Sequence, residues 1–149
     1  MQENYLFTSE RLGYRRLVPG DVVTVFSHHR EASLAAGIPN EVYDTLEEAR
    51  ETVDFLIARF DAGELPYILA VCLLETGEMI GTAGVCAISK GVEIDYAVRE
   101  AFQRQGFGAE TVRAVTAFCG ERFPCPCLYG MVARDNVASR KTLERAGYR

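Results

Sequence analysis

The sequence contains no apolar stretch long enough to cross a membrane. Its longest apolar run, Tyr67 to Leu74, is eight residues, whereas a spanning helix needs about 20. The opening segment MQENYLFTSERL has no basic region followed by an apolar one, so no secretory signal is expected. An excess of basic residues is absent too: 16 Lys+Arg stand against 21 Asp+Glu, a net charge of −5. That argues against a protein that coats nucleic acid, and it mildly favours amine-bearing partners through long-range steering. Cysteines at metal-site spacing are also missing. Cys72, Cys86, Cys119, Cys125 and Cys127 include no CxxC, and Cys125-Pro126-Cys127 has no second pair or nearby His to complete a zinc site. Buried thiols in a reducing cytoplasm, with no metal, are the expectation. Adjacent residues point in different directions on a helix, so His28-His29 reads as a solvated helix end. No internal repeat or low-complexity segment is present.

The rest is ordinary globular material. A chain of 149 residues fits one domain, residues 1–149, since single domains run roughly 100–200 residues. With 48% hydrophobic and 25% charged residues, disorder is excluded.

Arg11 to Leu17 alternates and reads as a strand, and Asp21 is placed to cap a helix through His29. Ala35 to Asp44 contains Gly, Pro and Asn and reads as loop. Thr45-Leu46-Glu47-Glu48 is a capping box, followed by Ala49, Val53, Leu56, Ile57 and Phe60 at helical spacing and a stop at Gly63. Three strands follow, Tyr67–Leu74, Met79–Ile88 and Val92–Val98, joined by Glu75–Glu78 and Ser89–Gly91. Connections that short make an antiparallel meander. A helix over Gly106–Arg122, a strand over Cys127–Val132 and a helix over Asn136–Ala146 complete the pattern. The strand–helix–strand unit at its centre predicts a parallel pair. The fold class is α+β, with a mixed, mostly antiparallel central sheet and flanking helices.

Gln103-Arg104-Gln105-Gly106-Phe107-Gly108 joins a strand to a helix. Read from the residues alone, it fits either a tight turn that needs glycine for positive φ or an anion site at a helix start. The full G-x-G-x-x-G of a dinucleotide site and the Gly-Lys-Ser/Thr of a P-loop are both absent.

Gln103-x-x-Gly106-x-Gly108 after the strand Glu93–Val98 resembles the pyrophosphate-binding motif of the GNAT superfamily of acyl-CoA-dependent N-acyltransferases. Asn136-x-x-Ser139-x-x-x-Leu143-x-x-x-Gly147-Tyr148 is similar to that family's final helix, and Ser9-Glu10-Arg11-Leu12 with Arg15-Arg16-Leu17 resembles the first strand of its ribosomal-protein alanine acetyltransferase branch. The resemblance implies acetyl-CoA as co-substrate and a primary amine, on a small molecule or a protein N-terminus, as acceptor. It implies that Tyr96, Ala97 and Val98 offer backbone groups to the pantetheine arm. Arg104, Gln105, Gly106, Phe107, Gly108 and Ala109 would cradle the pyrophosphate, and Asn136 would contact the pantetheine end, although from the residues alone an N-cap role suits Asn136 better. The family's acceptor pocket corresponds to Ser27 to Asp44 here. Two strands usually follow the Gly147-Tyr148 segment, so the sheet is expected to lack its last two strands. An exposed edge there would favour a homodimer.

The acid–base pair of one alanine acetyltransferase branch is absent, because Met131 and Leu143 occupy its positions. Glu93 and Asp95 are the alternatives: two apart on a strand, they share a face at roughly 7 Å. Two carboxylates in a partly dry cleft raise each other's pKa toward that of a useful base. Ser139 is the candidate proton donor to the leaving thiolate. A catalytically inactive acyl-CoA-binding module and a nucleotide-binding turn are the competing readings.

Overall fold

The computed structural model describes residues 5–32, 42–89, 91–123, 128–130 and 137–149. Six strands form one sheet in chain order: β1 (Phe7–Thr8), β2 (Leu12–Arg16), β3 (Tyr67–Leu73), β4 (Met79–Ile88), β5 (Gly91–Val98) and β6 (Leu128–Gly130). All neighbours are antiparallel except β5 and β6, which are parallel and linked through a crossover helix. The four described α-helices are α1 (Val22–His29), α2 (Leu46–Asp61), α3 (Phe107–Arg122) and α4 (Val137–Arg145).

The sheet is buried on both faces, which is why β3 reads as a continuous apolar run rather than an alternating one. Tyr67, Leu69 and Val71 of β3 join Leu12, Tyr14, Ile80, Val85 and Ile94 under Val112, Val115 and Cys119 of α3. Ala70 and Cys72 point the other way, to Val22 and Val25 of α1 and Ala49 and Val53 of α2. α2 starts at the expected cap, with Thr45 Oγ1 accepting the Glu48 N–H at 3.1 Å, which is the Thr45 half of the expected capping box.

Two expectations for α1 are corrected. Asp21 does not cap it through its side chain. Its carboxylate instead accepts the Val18 N–H at 2.9 Å and both arms of the Arg15 guanidinium at 2.8 and 3.0 Å. It thereby closes a 3-10 turn, Pro19–Asp21, that precedes the helix. A bidentate charged pair outcompetes a single backbone donor. His28 is not solvated either: it is 1% exposed. It continues the inward stripe of Val22 and Val25 at a spacing of three. Cys72 and Cys119 are buried, as expected, and Cys86 is half-buried. Cys125 and Cys127 lie outside the described residues.

Candidate active site

β5 leads into a 3-10 turn, Glu100–Phe102, and then into the glycine turn. Arg104 and Gly106 both adopt positive φ, 65° and 84°. Gly106 is the N-cap of α3, and no side chain caps the helix. The first intrahelical bond is Glu110 N–H to the Gly106 carbonyl at 3.1 Å. The N–H groups of Phe107, Gly108 and Ala109 therefore have no intrahelical acceptor. A left-handed residue followed by right-handed ones turns successive N–H groups into one concavity, and the helix dipole adds positive potential there. Gln103 through Gly106 are exposed. A groove of about 470 Å³ opens beside them, with Arg113 and Arg145 in its wall.

Gly108 has a packing reason to be glycine. A Cβ there would stand 3.0 Å from Tyr96 Cε2 and 3.4 Å from Thr142 Cγ2. Its small size lets the helix start sit against β5 and α4. Phe107 turns its ring into the core at 6% exposure, so only its main chain faces the turn.

Along β5 the two edges differ. The Arg99 N–H donates to the Ile80 carbonyl of β4 at 2.8 Å. Peptides alternate in direction along a strand, so residues 93, 95 and 97 also aim at β4, while Tyr96 and Val98 aim at the opposite edge. Among the described residues, β6 pairs there with Val92, Glu93 and Ile94, and no described strand flanks Asp95 to Val98 on that side. The Val98 carbonyl is held by Gln103 Nε2 at 2.9 Å. The Val98 N–H and the Tyr96 peptide groups face that edge.

Val92 and Ile94 enter the α3 core, so Glu93 and Asp95 emerge together on the face shared with α1 and α2, as their spacing predicts. Glu93 is half-buried and Asp95 exposed. Glu93 stands in a row with Cys86 of β4 and Tyr129 of β6. Asp95 lies across Gly84, where a Cβ would overlap its carboxylate. Ser139 is half-buried on the stripe of α4 that carries Thr142, Leu143 and Ala146. It lies one turn before the Thr142 methyl that approaches Gly108. Asn136, Met131 and residues 33–41 of the expected acceptor loop lie outside the described residues.

Several residues that sequence reasoning left without a role converge on this region. Arg11 Nε pairs with Glu110 Oε1 at 2.7 Å, and Arg11 Nη1 donates to the Gln105 carbonyl at 3.0 Å. Glu110 also accepts from Ser9 Oγ at 2.6 Å and from the Arg11 N–H at 2.8 Å. Burial pushes the Glu110 carboxyl up, but the hydrogen bonds from Ser9 and Arg11 outweigh it and hold it below its ordinary value. On the other side, Glu31 just beyond α1 accepts the Glu100 N–H at 2.8 Å. His28 contacts the Val98 backbone, and burial first, then the charges of His29 and Arg99, lower its pKa to about 4. The Ser9-Glu10-Arg11 segment was a sequence signal for the first group. Nothing local marked His28 or Glu31.

Residues 11–149 match the family model described as an acetyltransferase (GNAT) domain. No curated protein sequence matches the chain. Among solved structures, a GNAT-family acetyltransferase from Bacillus anthracis superposes with a TM-score of 0.83 at 19% identity, over 95% of this chain and 82% of that one. The ribosomal L7/L12 α-N-protein acetyltransferase RimL, solved with coenzyme A, gives 0.81 at 22% identity, over 97% and 83%. AAC(6')-Ib, solved with ribostamycin and coenzyme A, gives 0.76 at 16% identity, over 93% and 83%. These likenesses establish the shared fold, and the family match extends over nearly the whole sequence. The chain belongs to the GNAT acetyltransferase family.

Proposed function

We propose that this chain transfers the acetyl group of acetyl-CoA to a primary amine by direct attack in a ternary complex. The observation that carries the reading is the turn after β5, where left-handed Gly106 opens α3 with the N–H groups of Phe107, Gly108 and Ala109 uncapped, on a strand that also carries the carboxylate of Glu93. The uncapped N–H groups of Phe107, Gly108 and Ala109 hold the pyrophosphate, with Arg104, Gln105 and Gly106 forming the rest of the cradle. The peptide groups of Tyr96 and the Val98 N–H pair with the pantetheine arm as a sheet edge pairs with an added strand. Ala97 directs its peptide to β4 and contributes through the shape of the strand. Asn136 is assigned to the far end of the arm. From Val98 to Ile94 the strand advances roughly 13 Å, which brings the reacting end to Glu93.

Bound acetyl-CoA supplies the thioester. A primary amine is protonated at neutral pH and cannot attack until it loses that proton. Glu93 accepts it, directly or through water, while exposed Asp95 draws the cationic amine to the same face. Ser139 returns a proton to the sulfur as the carbon–sulfur bond breaks and the amide bond forms. No covalent enzyme intermediate is required.

The acceptor is an amine, and the neighbours include one protein whose name cites a ribosomal protein and one solved with ribostamycin. Among the described residues no helix is long and apolar enough to cross a membrane, and the buried cysteines Cys72 and Cys119 suit a reducing cytoplasm.

A thiol-release screen across protein N-terminal peptides, aminoglycosides and polyamines tests the reading. The expected result is acetyl-CoA-dependent thiol release above the hydrolysis blank with at least one class. CoA binding without release for any class would favour an inactive acyl-CoA-binding module. Failure to bind CoA would remove the assignment of the turn.

A further inference from the structure

We propose that Arg11 is a positioning residue for the acyl donor, setting the orientation of the glycine turn that receives the pyrophosphate. This rests on the acetyl-CoA reading above, and it assigns a role to a residue ninety-four positions away from the turn it acts on.

Arg11 acts on the peptide between Gln105 and Gly106. In a trans peptide the C=O and the following N–H point in opposite directions. Arg11 Nη1 holds the Gln105 carbonyl at 3.0 Å, so the Gly106 N–H is turned away from Arg11. Gly106 is left-handed, with φ 84° and ψ 4°. That conformation brings its N–H together with those of Phe107 and Gly108. Fixing one carbonyl therefore fixes a concavity of three donors.

The guanidinium is itself held by several partners, although its side chain is 43% exposed. Its plane covers the Phe107 ring at 4.2 Å from the centroid. Its Nε is bound by Glu110, and a Cβ at Gly106 would stand 3.4 Å from its Nη2. Behind it, Glu110 is bound by Ser9, whose hydroxyl lies 3.0 Å from the Tyr14 hydroxyl, and Tyr14 is fully buried in the core. The Arg11 main chain is anchored as well, its carbonyl accepting the Leu74 N–H at 3.0 Å. The turn is thus tied through one side chain to β2 and the sheet core.

The charge balance gives Arg11 a second effect on the donor. Glu110 sits in the first turn of α3, beside the amides that receive an anion. Paired with Arg11, its charge is neutralised. With Arg11 removed, a carboxylate would stand unopposed at the pyrophosphate site and repel the donor.

The test compares two acyl donors, acetyl-CoA and S-acetylpantetheine, which carries the same thioester but no pyrophosphate. Arg11→Ala should raise the KM for acetyl-CoA by about 10–100-fold with kcat within about threefold, the worth of one or two charge-assisted hydrogen bonds. Its kcat/KM with S-acetylpantetheine and its KM for the amine should match the wild type. Arg11→Lys keeps the charge but loses the fork, so it should fall between the two. It also serves as the probe if the alanine variant does not fold. Equal losses with both donors would show a general structural defect and overturn the proposal, as would an unchanged KM for acetyl-CoA. Calorimetry with CoA separates the two readings. If wild-type protein binds CoA without transferring acetyl, the transferase reading fails. The Arg11 proposal then stands or falls on whether Arg11→Ala weakens that binding. If wild-type protein does not bind CoA, both fail.

Discussion

The two halves of β5 are built differently. Its C-terminal end is tied down: Gln103 holds the Val98 carbonyl, the Arg99 N–H is on Ile80, Glu31 holds the Glu100 N–H, and Arg11 holds the turn beyond. In its middle, Glu93 and Asp95 project onto one face, with the Asp95 carboxylate lying over Gly84. The division matches two tasks. Receiving a pyrophosphate on main-chain amides requires those amides to be fixed before the ligand arrives, because a mobile turn would spend binding energy on ordering itself. Accepting a proton from an arriving amine requires space and charge on a face that substrate can reach.

The largest expected effect separates the halves. Glu93→Gln keeps size and hydrogen bonding but removes the base. It should lower kcat by roughly 10²–10⁴-fold with CoA affinity nearly unchanged. The variant's rate should climb as pH rises, because free amine then forms in solution. If Glu93→Gln keeps the wild-type rate at pH 7 and Asp95→Asn does not, the proton goes to Asp95.

Next is the buried histidine that joins α1 to the end of β5. Its folded pKa, about 4, lies below the ordinary 6.5. The unfolded chain therefore takes up the proton first. The stability this provides is complete above pH 6.5 and is lost as pH falls toward 4, with a span of about 3 kcal/mol. Denaturant titrations at pH 7 and pH 4.5 should show the loss in the wild type and a flatter response in His28→Gln. Equal slopes in the two proteins would contradict the burial account.

A smaller effect belongs to the turn. Arg104 and Gln105 are exposed, so Arg104→Glu with Gln105→Glu should leave the fold intact. Placing like charge beside the pyrophosphate should weaken CoA binding about tenfold or more. Smallest is Thr45→Ala, which removes the cap of α2 and should cost about 1 kcal/mol of stability without changing kcat. A change in kcat would mean that α2 shapes the acceptor face more directly than its position indicates.

What the sequence made legible is what local chemistry decides. The meander follows from turn residues between apolar runs, and β4 runs over Met79–Ile88 as its pattern predicts. The paired face of Glu93 and Asp95 follows from a period of two. Elements held by distant partners were not legible. β1 is only two residues, secured by the Leu6 N–H on the Tyr14 carbonyl and by the Phe7 ring stacked on Tyr14 and Phe118 at 4.7 and 4.6 Å. No period shows in so short a piece. The same holds for His28, whose neighbour in sequence gave no hint of which imidazole turns inward. Gly108 shows a subtler mismatch: a motif position explained by cofactor approach also has a packing reason in Tyr96.

The central claim is that acetyl-CoA lies on the glycine turn and along the Tyr96–Val98 edge of β5. Amide resonances of the protein titrated with CoA test it most directly. The largest shifts should fall on Gly106, Phe107, Gly108 and Ala109, with Tyr96 and Val98 moving at the same midpoint. Saturable CoA binding that leaves those six amides unmoved would contradict the account.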